Sequence, residues 1–205
     1  MKKRKEKITC FCENVIEAEF PEKVDLVVDP HVEEEILNGT FMAVKCPHCG
    51  KILKLEYPVR IIDRNRGIDI FLIPEYERAP YLTGKVVYNV GKRVVIGFPE
   101  LLDKITVLRN GLDDRVVEII KYHFMQKAGP ELDIKIYFQN IENDKLVFHI
   151  HGLKEDEIGI THVSLSFYRR ISETLEKDVD SEPYREILTP PYISANKIYI
   201  GGPTN

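Results

Sequence analysis

Two short stretches carry the residues best suited to chemistry. Cys46 and Cys49 stand two residues apart in "KCPHCGK", and Cys10 and Cys12 stand one residue apart in "ITCFCEN"; these four are all the cysteines in the chain. Zinc takes four ligands at tetrahedral angles with sulfur at about 2.3 Å, so two cysteines of one segment must bring their sulfurs within about 4 Å of each other. Two residues in a turn achieve this. Pro47 fixes one backbone angle, and Gly50 permits the left-handed conformation that turns backbone N–H groups toward thiolates. Lys45 and Lys51 offset the negative charge of thiolate ligands.

The Cys10, Cys12 pair is less usual. Alternate residues of a strand point to one side, so both sulfurs can face one metal if the strand bends. A metal held by Cys10, Cys12, Cys46 and Cys49 would close a long loop. Two other readings compete. The four can be buried or free thiols, since cysteine is commonly buried, although they fall into two close pairs with none left over. Cys46-Pro47-His48-Cys49 also has redox spacing, but no helix signal follows it to lower a thiol pKa. Structural zinc is the reading the pairing favours.

These cysteines need elements to hold them. Apolar residues alternate at Ile16, Ala18 and Phe20 and again at Val24, Leu26 and Val28, as on half-buried strands framing the first pair. "VDPHVEEEILNG" reads as a two-turn helix with Asp29 as N-cap, Pro30 at its first position and Asn38-Gly39 as its stop. "TFMAVK" leads as a strand into the second pair. Beyond it, "KILKLEYPV" and "IDIFLIP" form a hairpin through "DRNRG", and "KVVYN" and "RVVIGF" a second through Val90-Gly91-Lys92.

Two helices follow. "PELLDKITVL" spaces Leu101, Leu102, Ile105 and Leu108 helically and stops at Asn110-Gly111; "LDDRVVEIIKYHFMQKAG" sets Val116, Val117, Ile120 and Phe124 on one face. They are expected to pack as a helical hairpin. After Gly129-Pro130 the patterning returns to strands in "DIKIYFQ", "KLVFHIHG" and "ITHVSLSFYRR". The fold class expected is α+β, with residues 1–129 a zinc-stabilised β-hairpin domain carrying a helical hairpin and residues 130–205 a smaller, mostly antiparallel β domain.

"ITCFCEN", "VDPHVEEEILNGTF", "KCPHCGKILKLEYPV", "DIFLIPE" and "GLDDRVVEIIKYH" together resemble the CpXC family over roughly residues 8 to 125. The resemblance implies zinc bound through two C-P-x-C-like pairs and implies no reaction. Cys46 and Cys49 match the second pair directly. The first departs from the pattern, with Phe11 alone where two residues are common and Glu13 where glycine often follows. Were Cys10 or Cys12 to point away, His31 or His48 could substitute.

The 205 residues are 43% hydrophobic and 30% charged, an ordinary globular composition. The longest apolar runs fall far short of the roughly 20 residues that span a bilayer. "MKKRKEK" is followed by no apolar stretch of the kind a secretory signal needs, so the reducing cytoplasm is the expected compartment. A net charge of -4 disfavours phosphate-backbone binding by the whole molecule. The basic residues at positions 2–7 read either as an arm that touches nucleic acid or as a frayed tail.

Other clusters have plainer explanations. His149, His151 and His162 suit a polar strand face better than a metal site, and Asp113-Asp114-Arg115 suits a helix start. No phosphate loop, G-x-S-x-G or H-E-x-x-H string occurs. The expected function is that of a non-enzymatic zinc-stabilised module acting on an unidentified protein partner. The alternatives are a nucleic-acid-associated regulator using the basic arm, and an enzyme with a cleft between domains.

Overall fold

The computed structural model describes residues 2–129 and 132–200, with side chains described through residue 198. Helices and small sheets coexist in an α+β architecture that resolves into two compact units, Met1–Leu102 and Asp103–Asn205.

The first unit opens with an antiparallel hairpin of β1 (Lys3–Thr9) and β2 (Val15–Pro21). Alternation explains its two faces. Ile8 lies opposite Ile16, and both are buried together with Phe20, while Lys5 and Lys7 lie opposite Glu19 and Glu17 on the solvent side. The basic stretch is therefore a paired strand instead of a frayed tail. Lys2 pairs with Glu22 at 2.6 Å, Lys3 and Lys5 approach Glu19 at 3.7 Å each, and Lys7 approaches Glu17 at 3.9 Å. Arg4 turns inward, donating to the Pro58 carbonyl at 3.3 Å with its guanidinium 5.9 Å from the centre of the Tyr57 ring.

β3 (Lys23–Asp25) follows, then α1 (His31–Leu37). The residue before α1 is Pro30, with no side-chain cap. Asp29 lies one position further out, and its carbonyl accepts from the Val32 N–H at 3.1 Å, so the expected aspartate cap is absent. A second small hairpin, β4 (Ala43–Lys45) with β5 (Ile52–Lys54), carries the second cysteine pair at its tip.

The remaining strands of this unit build its core. β6 (Val59–Asp63) pairs with β3 in parallel and with β7 (Ile68–Ile73) antiparallel; β7 pairs in parallel with β8 (Arg93–Ile96). Val24, Val59, Ile61, Ile70, Leu72 and Ile96 are wholly buried in this four-stranded sheet, matching its run of β-branched residues. Between β7 and β8 the chain forms a 3-10 turn at Glu75–Glu77 and α2 (Arg78–Leu82). "KVVYN" makes no strand: Val87 is 84% exposed, so its apolar residues lack the cover a strand pair would need, and the expected second hairpin is replaced by a lone strand joined to β7.

α3 (Gly97–Arg109) ends at Asn110 and Gly111, whose φ of 69° is left-handed, as the stop signal predicts. α4 (Asp114–Ala128) starts with Asp113, whose side chain accepts the Arg115 N–H at 2.9 Å, which is the capping role expected for that acidic run.

In the second unit, β9 (Lys135–Glu142), β10 (Lys145–Lys154) and β11 (Glu157–Ser164) form an antiparallel meander in the order β11-β10-β9. The third strand is shorter than expected: Ser164 accepts the Phe167 N–H at 3.2 Å and starts α5 (Leu165–Asp178), so "LSFYRR" is helical. α6 (Tyr184–Leu188) and α7 (Asn196–Ile200) complete the unit. Val116, Val117 and Ile120 of α4 share one core with Phe138, Leu146 and Phe148 of the meander and Leu175 of α5. The compact units thus part within α3, upstream of the boundary expected at Gly129-Pro130, and Pro130 itself lies outside the described residues.

Among the described residues of that second unit, five charged residues are buried. Lys104 bonds Asp114 at 3.0 Å, Lys121 bonds Glu118 at 2.9 Å and also Asp103, while Asp103 accepts the Phe138 N–H at 2.6 Å and Glu118 the Ala195 N–H at 2.9 Å. Each buried charge is paired and hydrogen-bonded, as its burial requires.

Candidate metal centre

Both cysteine pairs sit at hairpin tips, and the two tips are built alike. At the first, the Cys10 N–H donates to the Asn14 carbonyl at 2.9 Å, and the Glu13 N–H donates back to the Cys10 carbonyl at 2.8 Å. At the second, the Cys46 N–H donates to the Lys51 carbonyl at 2.8 Å, and the Gly50 N–H donates to the Cys46 carbonyl at 2.9 Å. In each tip the second cysteine is followed by a left-handed residue, Glu13 at φ 66° and Gly50 at φ 74°. Cys-Phe-Cys is therefore the Cys-Pro-His-Cys turn made one residue tighter, with Glu13 standing where glycine would fit best.

This corrects the bent-strand expectation for Cys10 and Cys12. β1 ends at Thr9, and a turn, not strand alternation, aims the two sulfurs.

The four sulfurs of Cys10, Cys12, Cys46 and Cys49 all lie within 4.8 Å of one another. Across the hairpins, Cys10 Sγ is 3.6 Å from Cys49 Sγ and Cys12 Sγ is 3.8 Å from Cys46 Sγ. A disulfide would need about 2.05 Å. Four sulfurs about 2.3 Å from a central zinc would be spaced by about 3.8 Å, so the donor set fits a tetrahedral metal in type and spacing. Among the described residues this is the one group of histidine, cysteine and carboxylate side chains with such geometry. His31, His48 and His162 are exposed and His149 and His151 half-buried, and all five lie outside it.

The surroundings favour thiolates at two of the four positions. The Asn14 side-chain amide, 3.4 Å from Cys12 Sγ, and then the Asn14 backbone N–H hold the Cys12 thiol down to about 6. The backbone N–H of Cys49, opposed by burial and joined by that of His48, lowers Cys46. At Cys10 the Cys12 N–H pulls downward, but burial and the three neighbouring thiols outweigh it and push Cys10 up to about 12. A cation at the centre would reverse that balance, because a coordinated thiol is deprotonated outright.

Burial divides the cluster. Cys10 and Cys46 are 3% and 1% exposed, Cys12 is half-buried and Cys49 is exposed. Outside it, Lys51 Nζ lies 5.7 Å from the centre of the Phe11 ring, which is itself 79% exposed. Asn14 was not singled out from sequence, although an Asn closing a tight turn carries the signal for a side chain that bonds back to its own loop.

Two hairpin tips that converge four sulfurs within an α+β fold define a cysteine-cluster protein able to hold one metal ion. The chain belongs to the CpXC family: a match described as "CpXC protein" covers residues 8–121. An "Uncharacterized protein" of Treponema pallidum (strain Nichols) is 23% identical over 215 aligned residues, spanning 94% of this chain and 97% of that relative. No solved structure matches.

Proposed function

We propose that the chain is a non-enzymatic protein whose first unit is stabilised by one structural zinc held by Cys10, Cys12, Cys46 and Cys49, and which serves as a cytoplasmic interaction or regulatory module for another protein. The convergence of four sulfurs within 4.8 Å carries this reading. Four protein thiolates complete a tetrahedral shell and leave no position for water or substrate, which is the arrangement of structural and not catalytic zinc. The ligands come from two separate hairpins, so zinc would tie segments that short local strands hold weakly.

A reducing compartment supports thiolate ligands over disulfides. Among the described residues no helix is long and apolar enough to cross a membrane. Exposed Phe11 at 79% and Ile52 at 64% flank the cysteine tips and suit a protein partner. The nucleic-acid reading loses its main support, because the lysines of β1 face Glu17 and Glu19 on β2. Elemental analysis of protein purified without added metal tests the proposal: about one zinc per chain supports it, and a ratio near zero with four rapidly titrating thiols overturns it.

A further inference from the structure

The sulfurs of the centre differ in access and in partner. Cys49 is the exposed member, whereas Cys10 and Cys46 are buried and Cys12 is half-buried. Cys49 Sγ has the buried Cys10 Sγ 3.6 Å away on the other hairpin. The half-buried Cys12 Sγ, by contrast, takes the Asn14 side-chain amide at 3.4 Å. Such a donor withdraws electron density from the ionised sulfur it bonds and lowers its intrinsic nucleophilicity.

We propose that Cys49 is a hydroperoxide-modifiable position and that Cys10 is its resolving partner, so that oxidation replaces the metal clamp by a disulfide between the two hairpins. The inference rests on the zinc reading above. In the first step the Cys49 thiolate attacks one oxygen of hydrogen peroxide and the O–O bond breaks. The sulfur becomes a sulfenic acid, and the other oxygen leaves as hydroxide and takes a proton to become water. In the second step the Cys10 thiolate attacks Cys49 Sγ, the S–O bond breaks, and the second hydroxide leaves and is protonated. Two thiolates lose two electrons, and one peroxide plus two protons become two waters. The sulfurs close from 3.6 Å to about 2.05 Å. Cys12 and Cys46 then remain as the only thiolate donors, too few to retain a structural zinc.

The hairpins also permit a clean test. Cleavage after Lys7 and Lys23 isolates Cys10 with Cys12, and cleavage after Lys45 and Lys51 isolates Cys46 with Cys49. A disulfide across the tips links the two peptides, and fragmentation of the linked pair tells Cys10–Cys49 from Cys12–Cys46, whose sulfurs are 3.8 Å apart, whereas a disulfide within either tip leaves them separate. The full chain, with its zinc content measured first, is treated with substoichiometric hydrogen peroxide. Released zinc is followed with a chromogenic chelator, and peptides are mapped without reduction. The expected result is release of zinc in step with a Cys10–Cys49 link, and brief exposure with a sulfenic-acid trap labels Cys49 first. A first product of Cys12–Cys46, Cys46–Cys49 or Cys10–Cys12, first labelling at Cys12, or retention of zinc and all four thiols overturns the proposal. A chain that contains no zinc before peroxide is added overturns the structural-zinc reading instead, and the two failures are thereby told apart.

Discussion

Cys10 Sγ lies 3.6 Å from Cys49 Sγ although 39 positions separate them in the chain. Two hairpin tips with equivalent backbone bonding bring these residues together. A hydrogen-bonded turn aims each pair of sulfurs, so the site is organised by the hairpins and not by the cysteines alone.

Replacing Cys46 by Ser is expected to remove the metal and to loosen the first unit specifically. Hydrogen exchange should show faster exchange across β1, β2, β4 and β5, with protection retained in β9 and β10, because the latter share their own core with α4. Equal loosening on both sides of Leu102 would contradict the account.

The matching left-handed positions respond in opposite directions. Gly50→Ala forces a side chain into φ 74° and is expected to lower stability by about 1 kcal/mol. Glu13→Gly relieves the same conformation at φ 66° and is expected to leave stability unchanged or raise it by up to about 1 kcal/mol. Chemical denaturation of the metal-loaded variants decides, and equal destabilisation by both would show that the tips are not equivalent.

Much of this site was legible in the sequence and some was not. The Cys-x-x-Cys turn with its trailing glycine is a local device, and local devices survive folding unchanged. Cys10 and Cys12 read as alternate residues of a bent strand because one residue separates them; what makes them a turn is the pairing of Ile8 with Ile16 across the hairpin, a contact that spacing within one segment cannot specify. "KVVYN" reads as a strand beside the turn signal Val90-Gly91-Lys92, and burial decides against it, with Val87 84% exposed. "LSFYRR" is helical because Ser164 caps it, a signal outweighed by the β-branched run preceding it. The boundary at Gly129 followed a change in periodicity, yet Val116, Val117 and Ile120 bury their faces against strands that come after it, and tertiary packing of this kind has no local signature.

Lys121 joins Asp103 and Glu118 in the buried ionic network of the second unit. Lys121→Met leaves two buried carboxylates without that ammonium and is expected to lower the unfolding free energy by about 3–5 kcal/mol. Lys7→Met, which removes an exposed contact to Glu17, is expected to cost about 0–1 kcal/mol. Similar midpoint shifts in denaturant for the two variants would show that the network is not the stabilising feature described.

Burial, aided by the nearby Lys127 charge, holds the His123 pKa below the ordinary value of 6.5, and Tyr184 Oη lies 3.2 Å from its Nε2. Between the folded and unfolded pKa values the unfolded chain binds more protons, so the folded state loses stability as pH falls from about 6.5 through the folded pKa. His123→Gln should flatten that part of the stability curve. Denaturant midpoints at pH 5 and pH 7 whose difference is the same in the variant and the parent would exclude this origin.

The central claim is a closed tetrathiolate zinc site at the two hairpin tips, and X-ray absorption at the zinc edge of the purified full chain measures it most directly. The account predicts a single first shell of four sulfur atoms at about 2.3 Å, with no nitrogen or oxygen ligand. A shell containing histidine nitrogen or water oxygen, or protein carrying iron or no metal in place of zinc, would contradict it.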